Sequence, residues 1–308
     1  MTDFPILALL AGMIVAATPI LLAGIGELVV EKAGVLNLGV EGMMIVGAIC
    51  GFAVAYETQS VTLGYLGAAM GGAALALVFG VLTQFLMTNQ VATGLALTLT
   101  GLGVAALIGQ PYIGIRGTTV GAVPLGPMRE IPVLGPVLFR HDAMVYISIL
   151  IVACVWYVLR FTRAGLVLRA IGENHHAAHA LGCKVIVTRL AAIVFGGVCA
   201  GLGGAYLSLV RVPQWAEGMT AGAGWIALAL VVFAGWRAWG VLVGACLFGG
   251  LTALQLFLQA AGVAVLGEYL SMIPYVMTIV ALVIISSGRV RAAPCAPASL
   301  GLPFTAAT

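Results

Sequence analysis

Charged residues stand far apart in this chain, and the apolar runs between them set its architecture. The gaps Asp3 to Glu27, Asp142 to Arg160, Arg189 to Arg211, Arg237 to Glu268 and Glu268 to Arg289 each enclose one apolar segment. A bilayer-spanning helix needs about 20 such residues. The gap Glu41 to Glu57 is shorter and is extended backwards by Leu38-Gly39-Val40. Glu57 to Arg116 fits two segments, divided at the polar turn Thr88-Asn89-Gln90. Glu217 to Arg237 holds a further one, with Gly218, Gly222 and Gly224 crowding its start. The pattern predicts an all-α fold, a polytopic transmembrane helical bundle of about nine spans.

Composition agrees. The 308 residues are 62% hydrophobic and 7% charged, with a mean hydropathy of +1.18. Soluble domains carry about 25% charged residues, so a water-soluble fold could not cover its own surface. The net charge of +3 is no nucleic-acid signal, because the bases sit at span ends. The 6 cysteines are scattered without a C-x-x-C pair, which suggests neither a disulfide framework nor a zinc site. The N-terminal MTDFPILALL lacks a basic n-region and is expected to be a retained first span.

One segment, Arg160 to Arg189, holds Arg160, Arg163, Arg169, Lys184 and Arg189, which is 5 of the 13 basic residues. Short basic loops stay in the cytoplasm. Alternation then puts Glu27 to Asn37, Trp236-Arg237 and Arg289/Arg291 inside, and predicts an outside N-terminus and an inside C-terminus. Gln110 to Asp142 falls outside in spite of Arg116, Arg129 and Arg140; long loops weigh less in the rule. Residues 1–290 read as one membrane domain with a cytoplasmic loop at 161–188. The tail 291–308 is expected to be disordered. Small residues let membrane helices approach closely, and Gly196-Gly197, Gly201, Gly203-Gly204, Gly240, Gly244 and Gly249-Gly250 read as packing positions.

Three polar constellations interrupt the apolar pattern. In Gly26 to Gly42, Glu27 and Glu31 share a helix face, as do Asn37 and Glu41. The gap between the pairs, with Gly34 inside it, is not helical spacing. This predicts a re-entrant or broken segment near 27–41. It either lines a pathway or gate, or is a solvated span end with Asn37 as a cap. At the second site, Asn89 and Gln90 stand at a turn, where amides more often satisfy orphan backbone groups than bind a solute. In the third, Asn174 and Gly182 frame a short helix, as N-cap and C′ residue. Within it His175 and His179 are four apart, but no Glu follows the first His, and a surface role outweighs a metal site. No G-x-x-x-x-G-K-[ST] occurs, so the chain has no P-loop, and no G-x-S-x-G triad supports a hydrolase.

These runs resemble the permease subunits of bacterial ATP-binding-cassette (ABC) importers for branched-chain amino acids, ribose and nucleosides, over roughly residues 5–290. The chain looks most like the nucleoside branch that works with a Bmp-type lipoprotein. The resemblance rests on Glu27…Glu31-x-x-Gly34-Val35-Leu36-Asn37-Leu38-Gly39-x-Glu41-Gly42 and on Gly165-Leu166-x-Leu168-Arg169-Ala170-x-Gly172-Glu173-Asn174. It extends to Asn89-Gln90-Val91-x-x-Gly94 and Gly224-Trp225-Ile226-Ala227. Three positions depart from it: His175 stands where the family has Pro, Ala223 where it tends to have Arg, and Ala238 where it has Pro.

The resemblance implies a transport subunit of a bacterial inner membrane, not an enzyme. It would have no cofactor of its own, ATP and Mg being bound by a separate ABC ATPase. That ATPase would dock through Gly165, Arg169, Gly172, Glu173, Asn174, Ala177 and Gly182. A second homologous permease and an extracytoplasmic solute-binding lipoprotein would complete the machine, the lipoprotein meeting Gln110 to Asp142 and Arg211 to Thr220. Glu27, Glu31, Asn37, Glu41, Asn89, Gln90 and Trp225 would be pathway or gate residues. The expected solute is a nucleoside; a sugar or a branched-chain amino acid is the alternative. A different reading makes the chain a secondary transporter with Glu27, Glu31 or Glu41 as a proton relay.

Overall fold

The computed structural model describes residues 4–117, 120–124, 130–131, 134–260 and 296–305, with isolated positions between 272 and 283. Among these, regular structure is entirely helical. Seven helices are long and apolar enough to cross a membrane. They are α1 (Phe4–Lys32), α2 (Val40–Thr58), α3 (Val61–Gln84), α4 (Gln90–Gly109), α6 (Ala143–Phe161), α9 (Val185–Tyr206) and α11 (Ala238–Ala260). The short α5 (Leu134–Leu138) lies before α6, and α7 (Arg163–Glu173) and α8 (His175–Ala180) form the basic loop. The remaining helix, α10 (Ala223–Phe233), has only 11 residues.

The α3–α4 break falls where the polar turn predicts it: the Asn89 side chain accepts from Ala92 N at 3.0 Å and caps α4. The expected span between Glu217 and Arg237 is corrected. At ~1.5 Å per residue α10 covers only about 16 Å, half a bilayer. The backbone before it is not helical, with Gly218 at φ +66°, Ala221 at +45° and Gly222 at +81°. The chain therefore has a half-helix there, not a full span. The span expected between Glu268 and Arg289 lies outside the described residues.

The bundle is built on α9, which packs against α1, α2 and α3, while α1 also packs along α11. These contacts are backbone-close because glycine lines them. An added Cβ at Gly204 would lie 1.8 Å from Met44 O, at Gly201 2.3 Å from Ala68 O, and at Gly72 2.1 Å from Gly197 O. With no hydrophobic drive between helices in lipid, such contacts supply the packing. Gly204→Ala is expected to cost about 3 kcal/mol, the upper range for overpacking. A thermal-unfolding scan in mild detergent reads this as a lowered midpoint.

Two boundaries differ from the sequence pattern. Arg189 is not a span-end charge but is fully buried inside α9. Its guanidinium donates to Ala33 O at 3.1 Å, to Leu302 O at 3.1 Å and to His175 Nδ1 at 3.2 Å. The tail expected to be disordered is ordered over its described residues 296–305. Ser299 N donates to Gly172 O at 2.8 Å and Ser299 Oγ to Glu173 O at 3.1 Å. Phe304 is buried against His175, His176 and His179. Composition misleads here because a few anchored backbone bonds and one aromatic ring suffice to seat an otherwise nondescript segment.

Candidate functional site

Glu27, Glu31, Asn37 and Glu41 are all buried, between 0 and 5% exposed. The solvated-loop alternative for this segment is thereby removed. Helix α1 ends at Lys32, and Gly34, at φ +81°, turns the chain back. Residues 35–39 then re-enter the bundle before α2 begins. Bonds from several elements hold this stretch. Asn37 N donates to Glu27 Oε1 at 3.3 Å, Leu36 N to Gln90 Oε1 at 2.8 Å, and Thr98 Oγ1 to Leu38 O at 3.1 Å. Asn37 Oδ1 accepts from Gly39 N at 2.9 Å. Burying irregular backbone at this depth requires such partners. Glu27 Oε2 and Gln90 Nε2 are buried without a partner among the described residues.

The two remaining carboxylates reach the half-helix. Glu31 Oε2 accepts from Trp236 Nε1, in the turn after α10. That turn is tight: Gly235 and Trp236 have φ of +58° and +54°. A tryptophan is costly there, and its bond to Glu31 holds it. Glu41 reaches the other end of α10. Its Oε1 accepts from Gly222 N at 2.9 Å and from the Thr220 hydroxyl, and its Oε2 from Gly224 N at 2.7 Å. A carboxylate from one helix thus caps the exposed N–H groups and positive dipole end of another. A Cβ on Gly224 would stand 2.6 Å from Glu41 Cα, so only glycine lets the two elements meet.

Above this cap lies a cavity of about 620 Å³, bounded by Pro19 and Ile20 of α1, by Leu207, Arg211, Val212, Ala216, Met219, Thr220, Ala221 and Ala223, and by Ile226 with Thr252 and Gln255 of α11. Pro19 stands at the middle of α1 and Arg211 at the end of the α9 span, so the cavity runs from the middle of the bundle toward the end away from the basic loop. Its polar groups include Arg211, Thr220, Thr252 and Gln255. Arg211 closes a π-helical turn, Leu207–Arg211, that continues α9; such turns recur at functional sites. Ala223, where the resemblance expects Arg, also lines the cavity, as does Arg211. At the end of the bundle away from the basic loop, 113–117 and 213–215 run together: Gly117 N donates to Pro213 O at 2.9 Å.

At the basic end, Asn174 caps α8 through Ala177 N at 2.9 Å, and Gly182 leaves the helix at φ +85°. Gly165 and Gly172 are close-approach positions. A Cβ at Gly165 would meet Val158 O at 2.1 Å, and one at Gly172 would meet Lys32 O at 2.2 Å. Helix α7 is therefore fastened to the ends of α6 and α1. Arg169 and Glu173 are exposed. Because a guanidinium only donates, His175 Nδ1 must hold a lone pair. Burial, then Arg189, then His176 lower the His175 pKa to about 4. An ordinary His titrates near 6.5. The packing of His175 against the tail is thus fully present above about pH 6.5 and weakens as pH falls toward 4. Hydrogen-exchange protection of residues 297–304, taken relative to the intrinsic amide rate at each pH, is expected to be lower at pH 5 than at pH 7.5.

The structure gathers Glu27, Asn37 and Gln90 around the broken segment and sets Glu31 and Glu41 at opposite ends of α10, while Asn89 and Trp225 take no part in these bonds. Asn89 is an exposed cap, and Trp225 is 36% exposed and does not line the cavity. Sequence reasoning missed Thr220, Thr252, Gln255, Trp236 and Arg189. Thr252 and Gln255 carried a signal, being polar within an apolar run. Nothing local marked the others.

Comparison with known proteins supplies a further finding. Residues 9–282 match the family described as branched-chain amino acid transport system / permease component. The chain is 44% identical over 260 residues to a provisionally named glucose ABC transporter permease protein of Haloferax volcanii, covering 83% of this chain and 79% of that one. It is 32% identical to a nucleoside ABC transporter permease protein of Lactococcus lactis, covering 89% and 90%. It is also 30% identical to a guanosine ABC transporter permease protein of Bacillus subtilis, covering 94% of each. No solved structure matches the chain.

Proposed function

Since this chain belongs to the family of ABC transporter permeases described as branched-chain amino acid transport system / permease components, we propose that it is the membrane subunit of an importer for a neutral solute bearing a sugar ring, a nucleoside in the first instance. The single observation that carries this reading is the half-helix α10, whose N-terminus Glu41 already occupies. In transporters of anionic solutes such an N-terminus faces the substrate's carboxylate. Here that position is filled from within, which favours a neutral solute over an amino acid. The cavity above it offers hydroxyl, amide and guanidinium groups suited to sugar hydroxyls.

The nucleoside reading is supported by the Lactococcus and Bacillus relatives. A monosaccharide is the second reading. It is favoured by a cavity whose described lining residues include no aromatic ring for a base to stack on, and by the Haloferax relative. In either case α7 and α8 are the docking surface for a separate ATPase. A second permease and an extracytoplasmic solute-binding lipoprotein would complete the assembly, which would sit in a bacterial inner membrane. Glu27 and Glu31 serve in this reading as fasteners of the broken segment, not as a proton relay.

The test is affinity purification of the tagged chain in mild detergent, followed by identification of what accompanies it. Co-purification of an ABC ATPase, a second permease and a solute-binding lipoprotein is the expected result. Recovery of the chain alone, with uptake driven by a proton gradient, would contradict the reading.

A further inference from the structure

A larger cavity, about 950 Å³, opens at the basic end of the molecule between α6, α7 and the α10–α11 turn. Its walls carry Lys32, Arg160, Arg169 and Arg237 together with Trp156, Trp236 and Trp239. We propose that this cavity binds the phosphate headgroup of an anionic membrane lipid, one hydrocarbon chain of which lies along α11.

Charge is the first argument. Arg160, Arg169 and Arg237 are exposed. Arg169 Nε makes one long bond, 3.4 Å, to Gly165 O, and Arg160 lies 5.9 Å over the Phe161 ring. Neither contact neutralises a guanidinium. Behind the wall stands Glu31, which accepts from Trp236 and is attracted by Lys32. Three guanidinium forks therefore face one opening, and their planar donors suit phosphate oxygens.

Position is the second. The cluster lies at the end of the bundle that the basic loop marks as cytoplasmic, where basic pockets between spans hold anionic headgroups. Trp156 and Trp239 stand at its mouth, 36% and 44% exposed, with ring centroids 6.1 Å apart. Indole rings favour this headgroup level.

The third argument separates a lipid from a soluble phosphate, which shares the same headgroup chemistry. From Trp239 an apolar stripe runs up α11 through Val243 and Leu247, each four residues on and 67% and 41% exposed. Val243 itself lines the cavity. A free phosphate gains nothing from that stripe, while a lipid chain does. Bound there, the lipid would bridge the α6–α7 junction and the turn after the half-helix.

The intact importer in mild detergent, given equal phosphatidylglycerol and phosphatidylcholine, tests this by native mass spectrometry of retained lipid. The wild type is expected to retain phosphatidylglycerol in preference. The double variant Arg160→Gln/Arg237→Gln is expected to lose that preference by roughly tenfold. Lys184→Gln, a basic-loop change outside the cavity, is expected to keep it, and millimolar inorganic phosphate is expected not to displace the lipid. Equal retention by the double variant, or displacement by inorganic phosphate, would overturn the proposal. A readout independent of variants is tryptophan quenching by brominated lipids in vesicles. Phosphatidylglycerol should quench the wild type more than phosphatidylcholine at equal content, and equal quenching would overturn the assignment.

Discussion

Replacing Glu41 with alanine will lower ATP-driven uptake by roughly a hundredfold while leaving the chain in the membrane. The side chain is the acceptor for Gly222 N, Gly224 N and the Thr220 hydroxyl. Removing it leaves three donors without a partner in a dry setting, at about 1–3 kcal/mol for each one left orphaned. The same change strips the countercharge from the N-terminus of α10. The half-helix then loses its seat, and the cavity above it loses its floor. Glu41→Gln keeps an accepting oxygen and should recover part of the rate. Initial uptake rates normalised to membrane-inserted protein decide the matter. A wild-type rate for Glu41→Ala would show that α10 is held by packing alone.

Gly172→Leu will abolish uptake by breaking the link between the basic loop and α1. A Cβ there would lie 2.2 Å from Lys32 O, and a branched side chain cannot be accommodated without moving α7 away from α1. Ser299 N also bonds Gly172 O, so the tail would move as well. Glu173→Ala is different in kind: the carboxylate is exposed, and only its carbonyl holds Ser299. This change should spare the fold and reduce uptake through the docking surface. Pairing uptake with ATPase co-purification separates the two cases. Normal uptake by both variants would remove the coupling role from α7.

Much of this architecture can be read in the sequence because the bilayer imposes a simple rule. Span ends follow charges and polar turns, so α2, α3, α4, α6 and α11 begin or end within a few residues of the expected positions. The rule fails where a polar group is satisfied internally. Arg189 resembles a boundary but is buried with three acceptors, His175 nearby and two from distant segments, 113 and 156 residues away in sequence. The Glu217 to Arg237 gap has a span's length, yet positive-φ residues at 218, 221 and 222 reserve half of it for irregular backbone. Hydropathy cannot register either effect.

The candidate site shows the same division. The i, i+4 carboxylates and Gly34 marked the broken segment before α2, but not what it contacts. That Glu41 caps α10, 183 residues away at Gly224, depends on tertiary packing alone. Asn89, conspicuous as an amide between spans, does only local work as a cap. The cavity's Thr252 and Gln255 stand out as polar residues within an apolar run, but polar residues that only join packed helices stand out in the same way.

This permease, as proposed, passes a neutral, sugar-bearing solute beside the capped half-helix under the control of ATP. The most direct measurement is uptake of labelled guanosine into vesicles reconstituted with the complete importer, with glucose and leucine as competitors. The account predicts uptake that requires ATP on the ATPase side, is indifferent to a protonophore, and is blocked by unlabelled nucleoside or sugar but not by leucine. Uptake that persists without ATP and collapses with the proton gradient, or that leucine blocks, would contradict it.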